Sequence, residues 1–245
     1  MKVIGIIPAR YESTRFPGKP LVDITGQTMI QRVYRQAKHA ASLSEVVVAT
    51  DDERIYQHVK SFAGNVVMTK SSHQSGTDRC AEVARDVQGF DIAINIQGDE
   101  PFIDPQQIDL LVSCFENPDT EIATLVRRID TLDELTNENK PKAVLDKHGR
   151  AIYFSRQAVP FLRGEAIENW LDKRPYYNHI GIYGYKVGIL QQLSELPVSD
   201  LEMMESLEQL RWIDNGYKIQ TAVSNHSNDS IDTPADLEYI LKKYF

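Results

Sequence analysis

Apolar residues along this chain come in short unbroken runs separated by amphipathic stretches. Val3 to Ile7 is continuous, apolar and rich in β-branched residues, the pattern of a strand covered on both faces. Glu45–Thr50, Val66–Met68 and Asp91–Ile96 repeat that pattern. Between these runs the period lengthens to that of a helix. Residues 28–41 place Met29, Ile30, Val33, Tyr34 and Ala37 on one face. Ile55, Val59 and Phe62 share a face behind the capping pair Asp51-Asp52. Thr77 to Val87 predicts a further helix, and Ile108, Leu111, Val112 and Phe115 another. Strand and helix alternating at this spacing predict right-handed βαβ units and a mostly parallel sheet. Ligands of such sheets bind beyond the carboxyl ends of the strands. The polar loops 9–20, 70–76 and 97–101 all fall on that edge.

After residue 120 the pattern changes. Ile122–Ile129, then 142–146 and 150–155 around the turn Asp146-Lys147-His148-Gly149, and Ile180–Val187 read as mainly antiparallel strands. Leu201 to Trp212 reads as one helix with Leu201, Met204, Leu207 and Leu210 at core spacing, and its acids Glu202, Glu205 and Glu208 as a solvated face. Thr233-Pro234-Ala235-Asp236 carries a cap, a first-turn proline and an acid at the third position, which starts a last helix bearing Leu237, Ile240, Leu241 and Tyr244. No repeat, low-complexity tract or linker interrupts the chain. The expectation is an α/β fold: a mostly parallel sheet flanked by helices, with an antiparallel α+β elaboration in the second half, all in a single domain 1–245.

Composition narrows the class. With 245 residues, 42% hydrophobic and 25% charged, the chain is long enough to bury a core without disulfide or metal staples. The 27 basic and 35 acidic residues leave a net charge of −8, the wrong sign for a nucleic-acid coat protein. Cys80 and Cys114 fit no zinc spacing and read as reduced thiols, which points to the cytoplasm. No apolar run approaches the ~18 residues of a membrane span. Lys2 and the apolar stretch after it end at Pro8 and Arg10, so the N-terminus reads as the first strand rather than a signal peptide.

Four segments are candidates for chemistry. The loop after the first strand, Ile7 to Pro20, gathers Arg10, Arg15 and Lys19 with Ser13, Thr14 and Gly18. Cations, hydroxyls and exposable amides in one loop suit a polyphosphate. It is neither a Walker A loop, since Ser13 and Pro20 stand where Gly and Ser/Thr are required, nor a GxGxxG fingerprint. Gln97-Gly98-Asp99-Glu100-Pro101 places Asp99 just beyond a buried strand, a sensible ligand for a hard cation that also binds phosphate. Asp232, before the last helix, is a second acid that can converge on the same ion. Ser72-His73-Gln74-Ser75-Gly76-Thr77-Asp78-Arg79 opens a helix, where backbone amides and Arg79 favour an anion and Gln74 and Ser75 can read a base edge. In the second half, Arg156 presents a fork suited to a carboxylate, and His179 is a candidate donor or base. No spacing marks a Ser-His-Asp triad or a reactive thiol.

Taken together, IIPARYESTRFPGKPL, VVVATDD, HQSGTDR, INIQGDEP, YFSR, HIGIYGY, LEQLR and IDTPADLE resemble, in order and from end to end, the 3-deoxy-manno-octulosonate (Kdo) cytidylyltransferases. The segment 163–176 lies outside these motifs. The resemblance implies a Rossmann-like fold of the nucleotide-diphospho-sugar transferase type, with 1–120 the nucleotide-binding part and 121–245 the sugar-acid-binding and dimerisation part. It implies CTP and Kdo as substrates, CMP-Kdo and pyrophosphate as products, Mg²⁺ as cofactor, and a cytoplasmic homodimer serving lipopolysaccharide synthesis in a Gram-negative bacterium. No nucleic acid and no membrane insertion are expected. By position in the motifs, Arg10, Ser13, Thr14, Arg15 and Lys19 look like the triphosphate loop, and Gln74, Ser75, Arg79 and Gln97 like nucleotide contacts. Asp99 and Asp232 look like the Mg²⁺ acids, and Arg10, Lys19, Asp99 and Asp232 like the catalytic set. Arg156, His179, Tyr183, Glu208 and Gln209 look like the sugar-acid site. The alternatives are CMP transfer to 8-amino-Kdo or an acylneuraminate, UMP or GMP transfer to a sugar phosphate, and a nucleotide-binding regulator without turnover.

Overall fold

The computed structural model describes residues 1–245 except 13, 14, 227 and 228. In chain order the elements are β1 (Val3–Ala9), β2 (Asp23–Ile24), β3 (Gln27–Thr28), α1 (Met29–Lys38), β4 (Glu45–Thr50), α2 (Glu53–Ser61), β5 (Val66–Met68), α3 (Gly76–Asp86), β6 (Ile92–Asn95) and α4 (Pro105–Ser113). They continue with β7 (Ile122–Arg128), α5 (Leu132–Thr136), β8 (Lys142–Leu145), β9 (Arg150–Ser155), α6 (Trp170–Lys173), β10 (Tyr177–Lys186), α7 (Val187–Ser194), α8 (Asp200–Glu205), α9 (Gln209–Asp214), β11 (Ile219–Val223) and α10 (Pro234–Tyr244). The chain forms two compact units. One comprises residues 1–112, 184–194 and 228–245, and the other 113–183 and 195–227. The first therefore takes α7 and α10 from the half of the sequence read as the sugar-acid part.

In the first unit the strands run β5-β4-β1-β6, all parallel, with Ile6 opposite Val47 on one side and Asn95 on the other. Val3, Ile4, Ile6, Ile7, Val46 to Ala49 and Ile92 to Ile94 are buried, as unbroken β-branched runs between two layers of helix must be. The helices start where the sequence places their caps. Thr28, Asp52, Ser75 and Thr233 each accept a backbone N–H of the following helix, and Ser75 with Asp78 and Thr233 with Asp236 complete reciprocal capping boxes. Helix α10 is seated by Ile240, which clusters with Ile231, Ile24 and Met29, and by Tyr244 stacked 4.1 Å from Phe102.

In the second unit the order is β10-β7-β11-β9-β8, and β10 also pairs with β8, so the strands close on themselves. Strand β11 was not legible in the sequence and pairs parallel with β7, while β9, β8 and β10 pair antiparallel. The segment 163–176 fills a satellite core: Trp170 stacks on Tyr176 at 5.7 Å, beside Ile129 and Leu135. The single helix expected over Leu201–Trp212 is two. Helix α8 ends at Ser206, whose φ of 52° and ψ of 48° break the α-helical course, and α9 restarts after Glu208. The break also turns the expected solvated acids inward. Glu202 holds Arg211 through two 2.6 Å bonds, and Glu205 accepts from Ser155 Oγ at 2.7 Å and Arg156 N at 2.9 Å.

Candidate active site

The carboxyl ends of β1, β5 and β6 open onto one cleft in the first unit. Arg10, Arg15, Lys19, Gln74, Ser75, Arg79, Gln97, Asp99 and Asp232 all line it. Ser13 and Thr14 lie outside the described residues. At the centre, Lys19 Nζ donates to Asp99 Oδ2 at 2.8 Å and to Asp232 Oδ1 at 3.2 Å. Arg15 reaches the same Asp232 oxygen at 3.0 Å. Two acids separated by more than half the sequence thus share one ammonium.

The route that delivers Asp232 is specific. Ile231 is fully buried, and its N–H donates to the main-chain oxygen of Asp99 at 3.0 Å. Asp236 accepts from the N–H of Asp232 at 3.0 Å and of Thr233 at 2.8 Å. The helix cap therefore fixes the backbone of the acid that precedes it.

Two glycines and a proline set the cleft walls. A Cβ on Gly98 would lie 2.8 Å from the carbonyl oxygen of Pro8, and one on Gly76 3.2 Å from Pro8 Cγ. Pro8, Gly76 and Gly98 were not among the residues singled out from sequence; the glycines inside HQSGT and QGDEP were the available signal. Gly98→Ala must push the Asp99 turn away from the end of β1. It is expected to lower kcat/KM for the nucleotide by about 10- to 100-fold and to destabilise the fold by about 1–3 kcal/mol. Steady-state kinetics with thermal melts check this, and a kinetically silent variant would refute the close approach.

Other cleft residues also bond locally. Arg79 is 4% exposed, bonds Asp51 at 3.0 Å and also meets Thr69 Oγ1. That commits part of its guanidinium to the floor of the cleft. Gln74 Nε2 donates to Ser72 O at 3.0 Å, and Ser75 Oγ accepts the Asp78 N–H at 3.1 Å as the α3 cap. His73, also on the cleft, meets Glu82, whose other donor is the N–H of Lys70 at 2.9 Å.

The acid pair fits a hard divalent ion. Both donors are carboxylate oxygens already gathered on a cation, the Lys19 ammonium, and Mg²⁺ characteristically takes one or two carboxylates and fills its shell with water and phosphate. Among the described residues, no group of three or more His, Cys, Asp or Glu comes together.

Arg156, His179, Tyr183, Glu208 and Gln209 all belong to the second unit. The Arg156 fork is engaged with carbonyl oxygens of Glu205 at 2.6 Å, Glu138 at 3.0 Å and Ser206 at 3.3 Å. Lys142, fully buried beside it, donates to Asn137 O at 2.9 Å, and burial lowers its pKa against the opposing pull of Glu138 and Glu205. Gln209 is 4% exposed, and among the described residues its Nε2 is a buried donor with no acceptor and Asn178 Oδ1 a buried acceptor with no donor. Such groups are costly unless something completes them.

The His179 ring packs 4.9 Å from Phe154 and 5.3 Å from Tyr183. His179 Nε2 lies 3.1 Å from the Thr124 hydroxyl, which also reaches Ile180 O at 3.2 Å and Ile182 O at 2.8 Å. Burial pushes the imidazole down to about 3. Tyr183 is pushed well up by burial and by the Glu208 carboxylate. The sign for His179 follows from linkage. Below pH 6.5 the unfolded chain takes a proton that the folded chain refuses until about pH 3, so stability falls with acid across that window. The residue as a whole is only half-buried, so the expected loss at pH 5 relative to pH 7.5 is about 1–2 kcal/mol. His179→Gln should flatten this part of the profile in urea titrations; an unchanged slope would assign it elsewhere.

A cytidylyltransferase family profile matches residues 4–219. The chain belongs to the cytidylyltransferase family. This cytidylyltransferase is 52% identical to the 3-deoxy-manno-octulosonate cytidylyltransferase of Parabacteroides distasonis, over 98% of this chain and 97% of that protein. It is 53% identical to the enzyme of the same name from Bacteroides thetaiotaomicron, over 98% and 96%. A solved CMP:2-keto-3-deoxy-manno-octonic acid synthetase complexed with CTP superposes with a TM-score of 0.92 at 42% identity, covering 99% of this chain and 98% of that one.

Proposed function

We propose that this cytidylyltransferase transfers CMP from CTP to Kdo, releasing pyrophosphate and forming CMP-Kdo for lipopolysaccharide synthesis. The observation that carries the reading is the Asp99–Lys19–Asp232 bridge in a cleft lined by Arg10 and Arg15, in a chain that matches named Kdo cytidylyltransferases along nearly its whole length.

The chemistry is a substitution at phosphorus: the anomeric hydroxyl of the sugar attacks the α-phosphorus in line and pyrophosphate leaves. No covalent protein intermediate is needed, so the residues act by placement and charge. Arg10, Arg15 and Lys19 neutralise the triphosphate and the charge that grows on pyrophosphate, with Ser13 and Thr14 completing the loop. Gln74, Ser75, Arg79 and Gln97 hold the nucleotide. Asp99 and Asp232 hold Mg²⁺, which when bound supplies positive charge at the phosphates. Arg156 and Gln209 donate to the acid and its hydroxyls, and His179, Tyr183 and Glu208 complete the sugar site.

The remaining parts of the reading concern assembly and place. The second unit exposes Phe161, Ile152 and Val223, apolar surface that a second copy of the chain would cover in a homodimer. Cys80 and Cys114 are thiols not joined in a disulfide, as a reducing cytoplasm favours. Among the described residues, no helix is long and apolar enough to cross a membrane. The test is a matrix of nucleoside triphosphates against sugar acids and sugar phosphates with pyrophosphate as readout. CTP with Kdo is expected to be the best pair. A preference for a carboxylate-free sugar phosphate would overturn the sugar-acid assignment, and no pyrophosphate from any pair would leave a binding protein.

A further inference from the structure

The phosphate-binding loop is pinned from outside the cleft by a contact between two neighbouring segments. The Arg54 guanidinium lies over the ring of Tyr11, 3.3 Å from its centroid. Arg54 is not free to wander, because Asp52 holds it through Nε at 2.9 Å and Nη2 at 2.6 Å. Asp52 is itself fixed as the cap of α2, where it accepts the N–H of Arg54 at 2.9 Å. On the other side, the main-chain oxygen of Tyr11 accepts from Gly18 N at 2.9 Å. Gly18 sits at φ +73°, and a Cβ there would lie 3.1 Å from the Tyr11 hydroxyl. The tyrosine thus closes the loop at its neck, with its ring on Arg54 and its hydroxyl end against Gly18.

The flanking residues give the contact its consequence. Arg10 immediately precedes Tyr11, and Lys19 immediately follows Gly18. Two of the three cations assigned to the triphosphate, Arg10 and Lys19, therefore hang directly from the two ends of this clamp. An aromatic ring stacked on a carboxylate-held guanidinium is a firm, directional contact even where solvent reaches it.

We propose that Tyr11 and Arg54 are positioning residues for nucleotidyl transfer: they set the spacing of Arg10 and Lys19 without touching substrate. This rests on the assignment of the loop to the triphosphate of CTP. The effect is carried by geometry, since misplacing a charge by about 1 Å is enough to cost up to ~10²-fold in rate.

Three single variants and one double test it, with the full-length protein. Tyr11→Leu and Arg54→Ala should each lower kcat by about tenfold and weaken inorganic pyrophosphate binding, read by calorimetry, by a similar factor. KM for the sugar acid should stay within about twofold and the melting temperature within a few degrees, because Arg54 is more than half exposed. Tyr11→Phe keeps the ring and should keep the rate. The double variant Tyr11→Leu with Arg54→Ala should be no slower than Tyr11→Leu alone, since losing either partner already frees the ring. Unchanged kcat and pyrophosphate affinity in both single variants would overturn the proposal, as would multiplicative losses in the double variant or a loss confined to melting temperature. If the wild type releases no pyrophosphate from CTP, the proposed function fails, and the calorimetric comparison alone decides the positioning role.

Discussion

Asp99→Asn is expected to reduce CTP-dependent pyrophosphate release by at least about 10²- to 10³-fold while leaving the fold intact. The substitution preserves shape and removes only the charge. Asp99 contributes to the fold through its main-chain oxygen, which takes the Ile231 N–H at 3.0 Å, and Asn keeps that bond. Its side chain is about a quarter exposed, and Oδ2 meets Lys19 at 2.8 Å. The neutral amide can still accept that hydrogen bond, so no buried charge is abandoned. What disappears is half of the negative charge available to a divalent ion. Circular dichroism and a melting curve should match the wild type, and the rate should be measured with Mg²⁺ and CTP saturating. A wild-type rate under those conditions would remove Asp99 from the reaction centre.

Lys19→Met is expected to act in two directions at once. Turnover should fall by about 10²- to 10³-fold, because the ammonium that neutralises departing pyrophosphate is gone. Divalent-cation binding to the nucleotide-free protein should tighten, because the same ammonium occupies the acid pair, 2.8 Å from Asp99 and 3.2 Å from Asp232. A positive charge at that distance competes directly with an incoming ion. A gain on the order of tenfold, about 1.4 kcal/mol, is expected in calorimetric titrations with Mn²⁺ or Mg²⁺. Methionine retains most of the stem packing of a side chain that is only 14% exposed. An unchanged ion affinity would mean that Lys19 does not hold the acids against a metal. A tightened ion affinity would instead mean that in the wild type the triphosphate must draw Lys19 off the carboxylates before the ion settles, which couples metal binding to nucleotide binding.

Much of the nucleotide half was legible because its signals are local. Unbroken β-branched runs such as Val3–Ile7, caps such as Asp52 and Thr233, and a cationic loop after the first strand each act over a few residues. The second half was less legible for the opposite reason. Strand β11 is defined by pairing with β7 nearly 100 positions earlier, which leaves no short-range periodicity. The run Leu201–Trp212 has helical spacing throughout, yet one residue, Ser206, adopts the left-handed conformation and divides it. Once divided, Glu202 and Glu205 turn toward Arg211 and Ser155 instead of water. Arg156 is expected to offer a carboxylate fork, and what the sequence did not announce is that backbone carbonyls, which any sequence supplies, also take three of its N–H groups.

By itself the sequence determined the kinds of element, their order, the edge of the sheet where a ligand binds, and the residue types that meet there. Those follow from side-chain volume, β-branching, capping groups and charge, all properties of short segments. Only the tertiary structure decided that Asp232 joins Asp99 on one lysine, that Gly98 and Gly76 must be bare for Pro8 to fit, and that Tyr11 rests on Arg54. Those contacts join residues brought together by burial of Ile231 and Ile240 and by the packing of helices on the sheet, and such long-range packing leaves no mark in the spacing of any one segment.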